Sequence, residues 1–143
     1  MEYPKILPQI KMIDNLAYKH AEQDFKGTEL TPVQGQVLMY LAMNPHKTIN
    51  QKDIERELSL SNPTVSGLLN RLEKKGFIQK VIAPNDNRYK IITLTEKSMM
   101  YTEEIFHKMN RTENLLLKGF SSEEIQQLNH FLNRIAQNIS ENQ

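Results

Sequence analysis

Residues 59–95 read SLSNPTVSGLLNRLEKKGFIQKVIAPNDNRYKIITLT. Val65, Leu68, Leu69 and Leu72 fall at i, i+3, i+4 and i+7, the spacing of one buried helical face. Ser61 is placed to cap that helix and Pro63 fits its first turn. Gly76 suits the left-handed position that ends it. Beyond the glycine, residues 77–83 and 88–94 are rich in Val, Ile, Tyr, Phe and Thr, with Pro84-Asn85-Asp86-Asn87 between them as a turn cluster. The pattern predicts a short amphipathic helix followed directly by a β-hairpin, which in that place is a wing.

Working backwards, Asn50 is an N-cap candidate with Asp53 three residues on, and Ile54 and Leu58 give a second short helix its buried edge. Ser59-Leu60-Ser61 is then a tight turn. Two short helices joined by a turn of about four residues have the form of a helix-turn-helix. Further upstream, Thr31, Pro32 and Gln34 make a capping box with proline at the first helical position. Val33, Val37, Leu38 and Leu41 supply that helix's apolar face, and Asn44-Pro45 ends it. Thr48-Ile49 is expected to pair briefly as a strand.

The chain ends are also helical. Over residues 5–25, Ile6, Ile10, Ile13, Ala17 and Ala21 recur at helical spacing, with Pro8 in the first turn. Leu7, Met12 and Leu16 widen the stripe beyond one face. Thr95 caps a long helix over roughly 95–118 that carries Met99, Ile105, Phe106, Met109 and Leu116. Ser121 with Glu124 starts the last helix, striped by Ile125, Leu128, Phe131 or Leu132, Ile135 and Ile139, with residues 140–143 expected to fray. Residues 6–21 and 125–139 carry more apolar surface than one small lobe can bury, which predicts self-association through both chain ends.

Net charge is uneven. Residues 61–95 carry six basic and two acidic side chains, net +4, whereas residues 1–60 come to −1 and residues 96–143 to −2. The total of +1 hides a local basic module, the electrostatic footprint expected of a DNA reader. On the helix, Asn62, Thr64 and Ser66, with Asn70 and Arg71 a turn later, can reach base edges. Ser61 and the helix N-terminus suit phosphate oxygens, and so do Lys74 and Lys75. Arg88 follows a turn that can hold it out towards a narrow minor groove. Asp86 is expected to brace that guanidinium or the turn, and Asn87 completes the wing tip in the expected DNA-binding set. A winged-helix module that binds protein and not DNA is the alternative, but such a module needs no basic face.

At 143 residues the chain is expected to form one domain. It has no cysteine, which excludes disulfides, cysteine-based zinc fingers and thiol chemistry. His20, His46, His107 and His130 form no ligand cluster; Glu103 and Glu104 precede His107, but as ordinary helix neighbours. No phosphate loop and no nucleophile motif is present. No catalytic residue, metal or cofactor is therefore expected, and the chain does not read as an enzyme. It has no signal peptide and no apolar run near the roughly 18 residues of a membrane span, which predicts a cytoplasmic protein.

These residues resemble the MarR (multiple antibiotic resistance regulator) family of winged helix-turn-helix transcription factors. The resemblance rests on Leu30-Thr31 with Val37-Leu38 downstream, Ser61-x-Pro63-Thr64-Val65-Ser66, Leu72-Glu73-x-x-Gly76-Phe77-Ile78, Asp86-x-Arg88, Leu94-Thr95-Glu96-Lys97 and Phe120-Ser121-x-Glu123-Glu124. It implies a mainly α (α+β) fold: one domain over 1–143, with a winged lobe at 30–95 and dimerisation helices at 1–25 and 96–143. It implies a homodimer held through Ile6, Ile10, Ile13, Leu116, Phe120, Leu128, Phe131, Leu132 and Ile135. Such a dimer would bind double-stranded DNA as a repressor at a pseudo-palindromic operator, with half-sites about 10–10.5 bp apart. Relatives often take a small aromatic or phenolic effector between the dimerisation helices and the lobe, where Tyr18, Met39, Met43, Met99 and Met100 are the lining candidates. The sequence departs from the family pattern at Gly35, where packing is favoured over an enlarged pocket, and at Ser98, where glycine is common.

Overall fold

The computed structural model describes residues 1–142, with side chains for all of these except Asp86 and Asn87. Six helices and one hairpin follow in order: α1 (Ile6–Phe25), α2 (Pro32–Ala42), α3 (Gln51–Leu58), α4 (Asn62–Lys74), β1 (Ile78–Ala83), β2 (Asp86–Leu94), α5 (Glu96–Leu116) and α6 (Ser122–Glu141).

Local chemistry sets most of these boundaries. Full capping boxes start α2 (Thr31 with Gln34), α3 (Asn50 with Asp53) and α6 (Ser121 with Glu124). Each satisfies two backbone N–H groups that a helix start leaves orphaned. Thr95 caps α5 by accepting from the Ser98 N–H. Gly76 adopts φ +86° after α4, and the Phe77 N–H reaches the Leu72 carbonyl at 2.9 Å. The α3–α4 turn passes through Ser59 at φ +52°, a left-handed conformation that seldom accommodates a side chain.

The core lies under the lobe made by α2, α3, α4 and the hairpin. Val37, Ile54, Val65, Leu69, Leu72 and Phe77 are each 0% exposed, and burying a side chain of that size contributes about 1.5–3 kcal/mol. Ile105 of α5 and Phe25 at the end of α1 close it from the other side. Ser98 is buried in α5, where its hydroxyl donates to the Phe77 carbonyl. That bond satisfies a polar group which would otherwise be costly to bury. The segment before α3 adds to the edge of the hairpin, with an isolated bridge from Asn50 to Ile91 and a 2.8 Å bond from the Ile92 N–H to the Ile49 carbonyl.

The terminal helices stand apart from this core. Only Phe25 of α1 is buried, and α6 buries no residue. Helix α1 runs antiparallel to α5, joined by His20 Nδ1 to Thr112 Oγ1 at 2.8 Å, by Lys108 Nζ to the Asp24 carbonyl at 2.8 Å, and by an Arg111–Asp24 ion pair at 3.3 Å.

Three local expectations change. Ser61 holds the N-cap position of α4, but its hydroxyl donates to Thr64 Oγ1 at 2.9 Å and caps no backbone N–H. The hairpin turn is shorter than the polar cluster suggested: Asp86 already pairs with Ala83, so only Pro84-Asn85 lies between the strands. The last helix runs on to Glu141, past the point where fraying was expected.

Candidate nucleic-acid interface

The lobe presents α3, the start of α4 and the hairpin around one groove of about 570 Å³. Lys52 and Arg56 of α3, Lys80 of β1, and Arg88 and Lys90 of β2 all line it. Among the described residues lining it, Glu55 is the one carboxylate; the groove is predominantly positive, and low-dielectric walls focus such a field. Lys52 and Arg56 escaped the sequence analysis because the charge count began at residue 61. They recur at i and i+4 on the face of α3 away from Ile54 and Leu58, and that periodicity was a readable signal. Arg56 is ion-paired with Asp53.

The outward residues of α4 are partly organised by other side chains. Asn62 Nδ2 donates to Glu55 Oε2 at 2.9 Å. Gln51 Nε2 donates to Ser66 Oγ at 2.8 Å, and also lies 3.3 Å from both the Asn62 carbonyl and Glu55 Oε2. Lys80 donates to Asn70 Oδ1 and lies 3.7 Å from Glu73. Thr64, Asn70, Arg71 and Lys74 are exposed and Ser66 is half-buried. Arg71 folds back along its own helix: its Nη1 lies 3.2 Å from the point a Cβ on Gly67 would occupy. Gln51 and Glu55 were not among the sequence-derived candidates. Their polar spacing of four residues carries no signal until the turn brings α4 across it.

Lys75 does not share this face. Its ammonium donates to Gln34 Oε1 at 3.0 Å and to the Glu29 carbonyl, and Lys97 Nζ donates to the Lys75 carbonyl at 2.8 Å. One residue beyond Lys74 turns a helical side chain by about 100°, which carries Lys75 round to the α1–α2 loop.

In the wing, Ile82 pairs with Lys90 and Ala83 with Asp86, so residues 87–89 have no partner in the ladder. A bulge of this kind bends the strand and re-aims its side chains. Arg88 lies within the bulge and is exposed. The side chains of Asp86 and Asn87, including the expected Asp86 brace, lie outside the described residues.

The five residues expected to line an effector pocket do not come together. Tyr18 lines a cavity of about 420 Å³ with Phe25, Val33 and Met109. Met99 lines a separate groove beside Ile49 and Ile92, and Met100 another beside His107. Met39 is buried in the core and Met43 is exposed. Neighbours such as Met99 and Met100 point about 100° apart on a helix, so adjacency in sequence separates them in space. The residues expected at the dimer interface, by contrast, are all exposed or half-buried in the single chain. Among the described residues, no three His, Asp or Glu side chains gather into a possible metal site, and no helix is long and apolar enough to cross a membrane.

The MarR family model matches residues 28–88, from the loop before α2 through the wing arginine. Solved structures match over nearly the whole chain. S. aureus MepR, in a DNA complex, is 27% identical with a TM-score of 0.85, over 94% of this chain and 96% of that one. The transcription regulator MarR from Oenococcus oeni PSU-1 is 26% identical with a TM-score of 0.80, over 93% and 99%. A putative MarR family transcriptional regulator from Listeria monocytogenes, complexed with 26mer DNA, is 26% identical with a TM-score of 0.89, over 98% and 92%. The family match over the winged lobe and the full-length fold agree with the sequence motifs: this chain is similar to the MarR family of winged helix-turn-helix transcriptional regulators.

Proposed function

We propose that the protein is a homodimeric repressor that binds a pseudo-palindromic operator in double-stranded DNA. Regulators of this family are not enzymes, and their output is occupancy of a site. The observation that carries the reading is the groove in which Lys52, Arg56, Lys80, Arg88 and Lys90 converge beside the N-terminus of α4. Similar proteins from S. aureus and L. monocytogenes crystallised with DNA support it. In this reading Asn62, Thr64, Ser66 and Asn70 face base edges in the major groove. Ser61, Arg71 and Lys74 take phosphates, and Arg88 enters the minor groove from a wing tip that includes Asp86 and Asn87. Lys75 drops out of the set.

The winged lobe at 30–95 is carried by dimerisation helices at 1–25 and 96–143. The apolar faces of α1 and α6 that the single chain leaves open would pair two copies, setting their recognition helices about one DNA turn apart. The cavity beside Tyr18, between α1, α2 and α5, is the candidate place for a small-molecule effector that alters this separation.

Selection of bound fragments from random duplex DNA tests the proposal. The expected result is an enriched inverted repeat with half-site centres about 10–10.5 bp apart. Retention with no enriched sequence would reduce the protein to a non-specific cation.

A further inference from the structure

Glu55 is a half-buried carboxylate on a face built from cations, where it repels the phosphates that the surrounding lysines and arginines attract. A negative charge in that place needs a positive reason. Its partners are specific. Asn62 Nδ2 donates to Glu55 Oε2 at 2.9 Å, and Gln51 Nε2 lies 3.3 Å from the same oxygen. Gln51 is held in turn by Ser66 Oγ at 2.8 Å and the Asn62 carbonyl at 3.3 Å. The set therefore ties one turn of α3 to the first turn of α4.

The chemistry of the pair has one consequence for reading DNA. An ionised carboxylate only accepts hydrogen bonds, whereas a carboxamide has one donating and one accepting end. Beside Glu55, the Asn62 amide must turn its nitrogen towards the carboxylate and its oxygen away. A free asparagine can present its edge in either order: one order makes two bonds to adenine, and the other donates a single bond to guanine O6 with Oδ1 facing N7. Once oriented, Oδ1 is an acceptor for an exocyclic amino group, and the second N–H of Nδ2 can reach an adjacent ring nitrogen. In the major groove that order matches N6 and N7 of adenine, and it mismatches O6 and N7 of guanine.

We propose that Glu55, with Gln51 behind it, is a positioning residue that fixes the amide of Asn62 and so makes one base of each half-site adenine-selective. The inference rests on the DNA-binding reading above. Glu55 touches no base; it acts through Asn62.

The test is selection from random duplex DNA with the full-length protein and three variants: Glu55→Ala, Asn62→Ala and the double variant. For the wild type, one position per half-site is expected to favour adenine over guanine by about tenfold or more, the discrimination typical of a bidentate contact. Glu55→Ala should flatten that position alone, and Asn62→Ala should flatten the same position. The double variant should match Asn62→Ala in its base profile. Removing the charge should also tighten binding to all sequences, a uniform effect that leaves the base profile untouched. An unchanged profile in Glu55→Ala would overturn the inference, and so would a change at a position that Asn62→Ala leaves alone. No enriched sequence for the wild type would instead overturn the DNA-binding reading, and the positioning role with it.

Discussion

The ring of Phe25 lies against Gly35: a Cβ on that glycine would stand 2.9 Å from Phe25 Cζ, 3.0 Å from Cε1 and 3.4 Å from Ile105 Cγ2. The end of α1, the first turn of α2 and the middle of α5 meet at this point. The family departure at Gly35 is thus a close approach and not an enlargement of a pocket.

Gly35→Ala gains up to about 1 kcal/mol of helix propensity. It also forces an overlap onto a buried ring, which typically costs about 1–3 kcal/mol. Phe25 is only 4% exposed, so displacing its ring disturbs packed core neighbours. The expected net result is destabilisation by about 1 kcal/mol, read from the midpoint of urea unfolding at unchanged m-value.

Lys74 and Lys75 should separate by assay. Lys74→Ala should leave stability unchanged and lower the slope of log affinity against log salt by about one unit. Lys75→Ala should leave that slope unchanged. It loses the bonds to Gln34 and Glu29 and should cost about 1 kcal/mol of folding stability. A reversed pattern would put Lys75 back among the phosphate ligands.

Arg88→Ala should weaken operator binding by about tenfold when the flanking minor groove is A·T-rich, and far less when the flank is G·C-rich, because the narrow A·T groove concentrates negative potential. A gel-shift series on the two flanks reads the difference. Equal losses on both would assign Arg88 to a phosphate.

Phe131 and Ile135, one helical turn apart on α6, are 52% and 40% exposed in the single chain. Paired substitution to Glu should move the sedimenting species from dimer to monomer while far-UV circular dichroism stays helical, since neither side chain supports the lobe's core. A wild-type protein that sediments as a stable monomer at micromolar concentration would remove the dimer from the proposal.

Much of the fold was legible because its signals are local. Thr31 with Gln34, Asn50 with Asp53, and Ser121 with Glu124 close within one helical turn, so a window of four residues suffices to read each start. Val65, Leu68, Leu69 and Leu72 declare their face by spacing alone, and all four are buried. The site was less legible. Lys74 and Lys75 are adjacent and identical in type, yet they face different surroundings. The five effector candidates shared only an amphipathic character, and the helices that carry them spread them over different cavities. The hairpin tip was read as four turn residues because Pro, Asn and Asp are turn formers; backbone pairing between Ala83 and Asp86 shortened it.

The sequence by itself determined the order and type of the elements, the helix caps, the buried stripe of α4 and the basic bias of residues 61–95. All of these depend on residues within a few positions of one another, where periodicity and capping chemistry act directly. Only the tertiary structure decided that Lys52 and Arg56 join the wing cations, that Lys75 leaves them, and that Glu55 takes hold of Asn62. Those outcomes depend on how α3 crosses α4 and how the hairpin folds back over both. That geometry is set by the packing of Ile54, Leu69 and Phe77 in a common core, and no single segment contains it.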